Sequence, residues 1–329
     1  MSEPWLTTDA DGRILARTAA DATLLLADLA ELPPTARPVP GVRADAVVPG
    51  AASGSFLAVD HRAGAVVPVR WDDGDITVDA AVALPAGTRA IAAAGPGTDP
   101  PALAAATASA LLTYDGAWRE RAALPAEPVV LARQARRRCL VVLTRDGGLL
   151  RLDPRTGAAD RHRDPARAAG VGAYDEILGG VWSAPAAGRL VLARIEPWPP
   201  RTTYDLPARP GIAALTVSVN GEWLAVRRTG RAAPLELFNV AGQRSFHPPL
   251  GGLDGRVGLV FTHDNHLAAV GADDRVVVTE LPARVDVRAE TADIRHLDPF
   301  WEGRMEKASR ARRRRDDART GAGAPGGAP

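Results

Sequence analysis

The sequence predicts an all-β protein, a seven-bladed β-propeller of four-stranded blades with a short helical, then disordered, C-terminal tail. Three observations support this fold: short aliphatic runs recur along the chain, the repeat has a mean length of about 42 residues, and turn-forming residues are in excess. The 32 glycines and 28 prolines make up about 18% of the 329 residues, against ~12% in an average soluble protein.

Each repeat begins with an aliphatic run typical of a buried strand. The seven runs are residues 14–16, 56–59, 103–105, 140–143, 190–193, 223–226 and 267–270. Within them, Val141, Leu192, Leu224 and Ala269 occupy matching places, so we expect all four to be buried between blades.

A second run follows each aliphatic run and ends in a pair of residues whose second member is polar. These pairs are Ala27-Asp28, Trp71-Asp72, Tyr114-Asp115, Leu152-Asp153, Tyr204-Asp205, Phe238-Asn239 and Thr279-Glu280. The intervals between them range from 34 to 52 residues. A repeat of ~40–45 residues made of short strands is the length of one four-stranded propeller blade.

The turns support strands independently of the repeat. Asp-Gly and Asn-Gly steps, which tolerate positive φ and close hairpins, follow or separate the runs at Asp11-Gly12, Asp73-Gly74, Asp115-Gly116, Asp146-Gly147 and Asn220-Gly221. The alanine-rich residues 101–112 are compatible with a helix, but turns bracket them at the repeat spacing. We therefore predict strands there.

Two segments, residues 215–226 and 261–270, resemble the WD40-like propeller family, because each has the strand, polar turn and second strand of that family. Trp71-Asp72 is a literal WD dipeptide, and residues 149–157 resemble the third strand and the turn after it. The Gly-His start of regular WD40 repeats is missing, so the resemblance is to a degenerate, bacterial-type propeller. It implies a fold whose broad faces bind other proteins.

The repeat predicts three parts of the chain: a propeller over residues 5–291, a charged helical arm over 292–320, and a disordered Gly/Ala/Pro tail over 321–329. Residues 301–329 contain eight basic and four acidic side chains, so the remainder of the chain is slightly acidic. That balance argues against a general nucleic-acid binder.

Composition also limits the compartment and the chemistry. A single cysteine, Cys139, excludes a disulfide framework within the chain, and we expect it to be a buried strand residue. No signal peptide and no apolar run long enough to span a bilayer are evident, so we expect a cytoplasmic protein without a membrane partner.

No catalytic, metal-binding or cofactor-binding residues are predicted. Most histidines and clustered acids fall in predicted turns, where side chains mostly face solvent; they are His61, His263, Asp264, His266, Asp72, Asp73, Asp75, Asp175, Glu176, Asp273 and Asp274. His162 is flanked by arginines, which repel cations. Turn acids from several blades could still converge on the central channel. A propeller hydrolase or lactonase with a channel metal is therefore the alternative function.

The longest interval between repeats, 52 residues, predicts two insertions, residues 163–176 and 196–201. The second contains tryptophan beside proline and arginine, a mixture that interfaces favour, although Trp198 could instead pack on a neighbouring blade. The tail adds an adjacent aromatic pair and an arginine run that suits an acidic partner or a phosphate backbone, although Asp316-Asp317 directly after the run also fits a solvated helix face. The predicted partner-binding residues are Trp198, Arg201, Phe300, Trp301, Arg312, Arg313, Arg314 and Arg315.

The sequence therefore predicts a non-enzymatic propeller that acts as a scaffold or protein-recognition module in a multiprotein complex. Its partners would be other proteins, and a role beside an ATPase or another complex subunit is one alternative. Arginines without interleaved aromatics do not match single-stranded nucleic-acid binders.

Overall fold

In the computed structural model, the described part of the chain is almost entirely β-structure. It comprises residues 5–9, 11–31, 34–95, 102–185, 188–208, 211–218, 221–228, 235–240, 244–246, 258–262, 266–271 and 276–281. Apart from one 3₁₀ turn at Pro165–Arg167, the elements in these ranges are strands. They form seven separate antiparallel sheets.

The strands of each sheet pair in chain order, except that the fifth strand of sheet two pairs with the third. Sheet one contains β1 (Leu6–Thr8), β2 (Ile14–Thr18), β3 (Thr23–Asp28) and β4 (Arg37–Arg43). Sheet two contains β5 (Ala46–Pro49), β6 (Ser55–Asp60), β7 (Ala65–Asp72), β8 (Asp75–Val78) and β9 (Val82–Ala83). Sheet three contains β10 (Ala90–Ala93), β11 (Leu103–Ala106), β12 (Ala110–Tyr114) and β13 (Trp118–Ala123). Sheet four contains β14 (Pro128–Gln134), β15 (Cys139–Thr144), β16 (Gly148–Leu152) and β17 (Ala159–Arg163).

The remaining sheets repeat this order. Sheet five contains β18 (Ala169–Asp175), β19 (Gly180–Pro185), β20 (Arg189–Arg194) and β21 (Arg201–Pro207). Sheet six contains β22 (Ile212–Val217), β23 (Trp223–Arg228), β24 (Leu235–Asn239) and β25 (Arg244–Phe246). Sheet seven shows β26 (Gly258–Phe261), β27 (His266–Val270) and β28 (Val276–Glu280) within the described ranges.

The sheets form a closed ring around their first strands. Each first strand contacts the first strand of the next sheet, and β26 of sheet seven contacts β1 of sheet one. At this junction Leu6 and Leu15 of sheet one pack with Val260 and Ala268 of sheet seven. The predicted all-β, seven-bladed propeller is therefore confirmed.

The second strands form the core because neighbouring sheets cover both of their faces. Val141 and Leu224 are buried in β15 and β23, and Ala269 is buried in β27. Leu192 is buried as well. All four residues predicted to lie between blades are therefore buried, and residues 103–106 and 110–114 form strands as expected.

In sheet five the predicted register is wrong by one strand. Residues 190–193 belong to the third strand, β20, and the second strand is β19. Residues 163–176, predicted as an insertion, contain the 3₁₀ turn and the innermost strand β18. With this correction, third strands of consecutive sheets end between 38 residues apart (Tyr114 to Leu152) and 45 residues apart (Arg194 to Asn239).

The register was missed because β18 and β19 have few aliphatic side chains. Their sequences are AGVGAYD and GVWSAP. Two glycines of these strands occupy tight places: a Cβ at Gly172 would lie 2.8 Å from the Trp182 carbonyl oxygen, and a Cβ at Gly180 would lie 2.7 Å from that of Ala193. Close backbone packing at these glycines therefore takes the place of the aliphatic side chains that the second strands of other sheets have.

The predicted boundaries of the propeller and its tail remain predictions. The described strands extend from Leu6 to Glu280. The expected helical arm (292–320) and disordered tail (321–329) lie outside the described residues.

Candidate functional site

A cavity of about 1680 Å³ occupies the centre of the ring. The first strands of sheets two to six supply most of its wall with small or aliphatic side chains, such as Ala92, Val130 and Leu215. The wall is therefore largely apolar.

The cavity extends to one end of the ring, which we call the lower face. Because consecutive strands are antiparallel, the turns between first and second strands and those between third and fourth strands lie at this same end. Turns of both kinds line the cavity: Asp11 and Ala135 belong to the former, Asp115 and Arg155 to the latter. The lower face is thus the rim of the cavity.

Four arginines from sheets three and four line the cavity, and we call them the arginine cluster: Arg121, Arg133, Arg138 and Arg155. Arg138 lies in the β14–β15 turn with a φ of 54°, and Arg155 lies in the β16–β17 turn. Arg121 Nε donates to Thr113 Oγ1 at 2.8 Å. From β13 its Nη1 extends to within 4.0 Å of the place a Cβ would take at Gly157, in the sheet-four turn.

The carboxylates around the arginine cluster are bound by other groups. Glu176 accepts hydrogen bonds from the backbone N–H groups of Ala135 (3.3 Å) and Arg136 (3.2 Å). Asp115 pairs with Arg119 at 3.5 Å, and Asp153 accepts from the Arg155 backbone N–H at 2.8 Å. Among the described residues, no member of the arginine cluster forms an ion pair with a carboxylate within 4.0 Å.

Two polar groups lie deeper in the cavity wall. Arg133 Nε and the Tyr174 hydroxyl are both buried, and neither meets the geometry of a hydrogen bond in the described part of the chain, although the Glu176 carboxylate lies close enough to act on both. Burial lowers the pKa of Arg133, the Glu176 carboxylate opposes this shift, and repulsion from Arg138 adds to it. Burial, reinforced by Glu176, raises the pKa of Tyr174. This part of the wall can donate hydrogen bonds to an anionic oxygen.

The opposite part of the lower face has the reverse charge. Asp72, Asp73 and Asp75 flank the β7–β8 turn, and Asp11 follows β1. In sheet four the lower-face turns instead contain the arginines at positions 136–138 and Arg155. One face therefore combines an acidic half and a basic half.

Buried polar side chains hold the lower-face turns in place. Asp9 follows β1 and accepts from the backbone N–H groups of Arg13 (2.8 Å), Ile14 (3.0 Å) and, in sheet two, Gly54 (2.9 Å). This last bond ties neighbouring blades together. Burial raises the pKa of Asp9.

The same place in sheet five is occupied by Asp175. It accepts from the Leu178 backbone N–H at 2.9 Å and from Trp182 Nε1 at 3.1 Å, and burial raises its pKa to about 6. Asp175 was predicted as a solvated turn acid, and this is wrong: it is only 1% exposed. Asp175 is the last residue of β18, and the turn that follows covers its side chain.

Two of the predicted partner-binding residues lie at the lower face. Trp198, in the β20–β21 turn, is half-buried against sheet four, where the Arg151 guanidinium lies 5.1 Å from its ring centre. The neighbouring Glu196 pairs with Arg137 at 2.9 Å. Arg201 is exposed at the start of β21. A binding role for either residue remains a prediction.

The other predicted partner-binding residues, Phe300, Trp301, Arg312, Arg313, Arg314 and Arg315, lie outside the described residues, and so do His263, Asp264, Asp273 and Asp274.

Within the described ranges, no three His, Cys, Asp or Glu side chains come together as a metal site would require. His61 lies exposed in the β6–β7 turn, and His162 contacts the Trp198 ring edge-on at 6.5 Å. Cys139 is buried and donates to Gln134 Oε1 at 3.0 Å, and burial raises its pKa to about 11. Among the described residues, no helix has the length and hydrophobicity that a membrane span needs.

The basic residues of sheet four were not among the predicted partner-binding residues. The signal that could have identified them is the run Arg136-Arg137-Arg138, three exposed arginines between two apolar strands. Arg155 lies one hairpin further along, in a turn opened by Asp153-Pro154. The two turns are the first and third hairpin turns of one antiparallel sheet, so both lie at the same end of that sheet.

No protein-family profile matches the sequence, and no curated protein sequence matches it. Solved structures do resemble the fold. The β-propeller domain of Cps50 (Swd1) from Myceliophteria thermophila has a TM-score of 0.67 and 14% identity, over 85% of this chain and 97% of that one. KlHsv2 with its loop 6CD replaced by a Gly-Ser linker has a TM-score of 0.61 and 12% identity, over 86% and 94%. At these identities the likeness supports the propeller fold. The bacterial type of the resemblance stays a prediction.

Proposed function

We propose that the chain is a non-enzymatic propeller that recognises other proteins and docks them on its lower face. The observation that carries this proposal is the composition of the cavity and its rim. An apolar wall of alanine, valine and leucine is bordered, on the side of sheets three and four, by exposed turns rich in arginine. Protein interfaces have this arrangement of an apolar centre and a polar rim, and arginine is enriched in them.

The size of the cavity also favours a macromolecular ligand. Small-molecule sites usually enclose about 300–1,000 Å³, and the central cavity is larger, at about 1680 Å³. A loop or an extended segment of a partner protein could enter such a space while the rest of the partner rests on the turns.

The predicted partner-binding residues Trp198 and Arg201 extend the proposed surface beyond the cavity. Both lie at the lower end of sheet five, on the same face of the ring as the arginine cluster. A partner seated over the basic half would therefore meet an aromatic ring already held in place by Arg151. The residues of the predicted tail would add to this surface rather than replace it.

Site-specific photo-cross-linking in the source organism tests the docking face. A photoreactive residue would replace Ala117, exposed in the lower-face turn between β12 and β13, or Ser109, exposed in the opposite turn between β11 and β12. Both positions belong to sheet three, so the two variants are matched. We expect cross-linked proteins at Ala117 and far fewer at Ser109. Cross-links at Ser109 alone, or at neither position, would contradict the proposal.

A further inference from the structure

We propose that the arginine cluster binds a short acidic segment of the partner, with one carboxylate entering the cavity beside Arg133 and Tyr174. This inference rests on the proposed function, because it specifies which chemistry the lower face would recognise. The recognised feature is an Asp- or Glu-containing peptide segment in an extended conformation.

The charge of the site is the first argument. Four guanidinium groups line one sector of the cavity, and the nearby carboxylates of Glu176, Asp115 and Asp153 already accept from backbone N–H groups or pair elsewhere. Guanidinium groups bind carboxylates through two parallel hydrogen bonds. Glu176 is the carboxylate whose charge acts on Arg133, so four guanidinium groups still exceed the negative charge around them, and a peptide carboxylate would supply the difference.

The depth of Arg133 and Tyr174 is the second argument. Arg133 is the residue before the last in β14, and Tyr174 is the residue before the last in β18, so the two lie at the same level of neighbouring inner strands. Their buried donors make no well-formed hydrogen bond among the residues described, because Glu176, whose charge acts on both, accepts from two backbone N–H groups. Unpaired buried donors are costly, and a carboxylate oxygen placed between them would satisfy both.

The charge distribution over the lower face favours a short acidic segment over a nucleic acid. Asp11, Asp72, Asp73 and Asp75 lie on the other half of the same face and would repel an extended phosphate backbone. A peptide can place two or three carboxylates at sheets three and four and continue across the apolar wall with small side chains. The wall of Ala92, Val130 and Leu215 suits such side chains.

The probe is a fluorescent, end-capped peptide in which glutamates alternate with alanines and leucines, and the control peptide has glutamine at each glutamate. Binding is measured by fluorescence anisotropy with the full-length chain at several salt concentrations. We expect the acidic peptide to bind, the glutamine peptide not to bind measurably, and added salt to weaken binding.

Two double variants with the same charge change test the location of the site. Arg138→Glu with Arg155→Glu alters the arginine cluster, whereas Arg62→Glu with Arg161→Glu alters exposed arginines away from the cavity lining. We expect the first pair to weaken peptide binding by at least about tenfold and the second by less than about twofold. Unchanged melting temperatures would show that both variants are folded.

Tyr174→Phe tests how deep the carboxylate reaches. Phenylalanine keeps the packing of the Tyr174 ring against the core, so the fold should be unchanged, and the loss of the hydroxyl should weaken binding by about threefold or more. Unchanged affinity in this variant would overturn the placement of a carboxylate beside Arg133.

Three further results would overturn the acidic-peptide site as a whole. They are no binding of the acidic peptide, equal weakening by both double variants, and tighter binding of a single-stranded oligonucleotide of equal charge. Cross-linking at Ala117 together with any of these results would leave the proposed function standing and remove only the acidic segment.

Discussion

Sheets two and four share one strand plan but have opposite chemistry at the lower face. In both sheets the second strand is buried, with Phe56 in sheet two and Val141 in sheet four each 1% exposed. At the lower face, however, sheet two has Asp72, Asp73 and Asp75 around one turn, and sheet four has Arg138 and Arg155 in two turns.

The difference shows which positions the ring constrains. Side chains of the second strands lie between two neighbouring sheets, so packing selects aliphatic residues in every blade except sheet five. The turns contact mainly solvent and the cavity rim, so their charge can vary without loss of the fold. Recognition is therefore expected to depend on the turns, and stability on the strands.

A charge placed in the shared core is expected to have the largest effect. Val141→Asp would bury an unpaired carboxylate in β15 and should lower the free energy of unfolding by about 4 kcal/mol. Thr77→Asp, on the exposed outer strand of sheet two, should change it by less than about 0.5 kcal/mol. Urea denaturation measures both. Equal losses would contradict the division between strands and surface.

Glycines in the turns provide a sharper comparison within sheet two. Gly54 and Gly64 have similar φ angles of 64° and 63°, but a Cβ at Gly54 would lie 2.2 Å from the Trp71 carbonyl oxygen, while a Cβ at Gly64 meets nothing within 4 Å. Gly64→Ala should cost about 1 kcal/mol through its backbone conformation alone. Gly54→Ala should cost about 3 kcal/mol, because it also forces a backbone shift.

Two glycines of sheet four allow the same comparison. A Cβ at Gly147 (φ 83°) would lie 2.2 Å from the Asp164 carbonyl oxygen, whereas at Gly157 (φ 76°) the nearest atom is Arg121 Nη1 at 4.0 Å. Thermal denaturation of the alanine variants should rank Gly147 with Gly54, and Gly157 with Gly64. If the losses instead grouped by sheet, with Gly54 beside Gly64 and Gly147 beside Gly157, the space around the Cβ would not determine the cost.

The titration of Asp175 makes the stability contributed by sheet five depend on pH. Its pKa of about 6 in the folded state lies above the ordinary value of 3.8, so its contribution to stability is present below about pH 4 and is lost as the pH rises through 6. The loss should reach up to about 3 kcal/mol. The same place in sheet two is Gly50, which does not titrate.

Urea denaturation between pH 4 and pH 8 measures this effect. The free energy of unfolding of the unmodified chain should fall over the range more steeply than that of Asp175→Asn. Parallel profiles for the two proteins would show that Asp175 does not titrate as its burial implies.

The smallest effect is expected for the arginine cluster itself. Arg138→Ala removes a charge that repels Arg133 and has no carboxylate partner in the described ranges, so stability should change by less than about 0.5 kcal/mol. Arg13→Ala is the matched control, since Arg13 binds Asp28 through Nε (3.1 Å) and Nη2 (2.7 Å). That variant should lose about 1–2 kcal/mol by differential scanning calorimetry. A larger loss for Arg138→Ala would mean that this arginine supports the fold.

The sequence predicted the fold well wherever packing selects aliphatic side chains. It failed in sheet five, because Gly172 and Gly180 allow close backbone contacts that need no aliphatic run. It also placed Asp175 in solvent, since a strand end and a turn look alike when the burying group, Trp182, lies seven residues away.

The candidate site was less predictable than the fold. Arg121, Arg138 and Arg155 are separated along the chain, and their common position at the cavity depends on which end of each sheet a turn occupies. Hairpin counting would bring Arg138 and Arg155 together. It would not predict that Arg121 extends from sheet three to the Gly157 turn of sheet four, because that contact depends on the packing of neighbouring blades.

The junction between sheets one and seven has a consequence for the order of events during synthesis. A Cβ at Gly258 would lie 2.7 Å from both Leu6 Cδ2 and Trp5 Cζ2, so the last sheet fits tightly over the first strand. Ribosomes add about 5–20 residues per second, and Leu6 therefore emerges many seconds before Gly258 exists. During that interval the apolar edge of the first blade is uncovered, and six blades form an open arc. The nascent chain is consequently most exposed to aggregation and chaperone binding just before its last blade is complete.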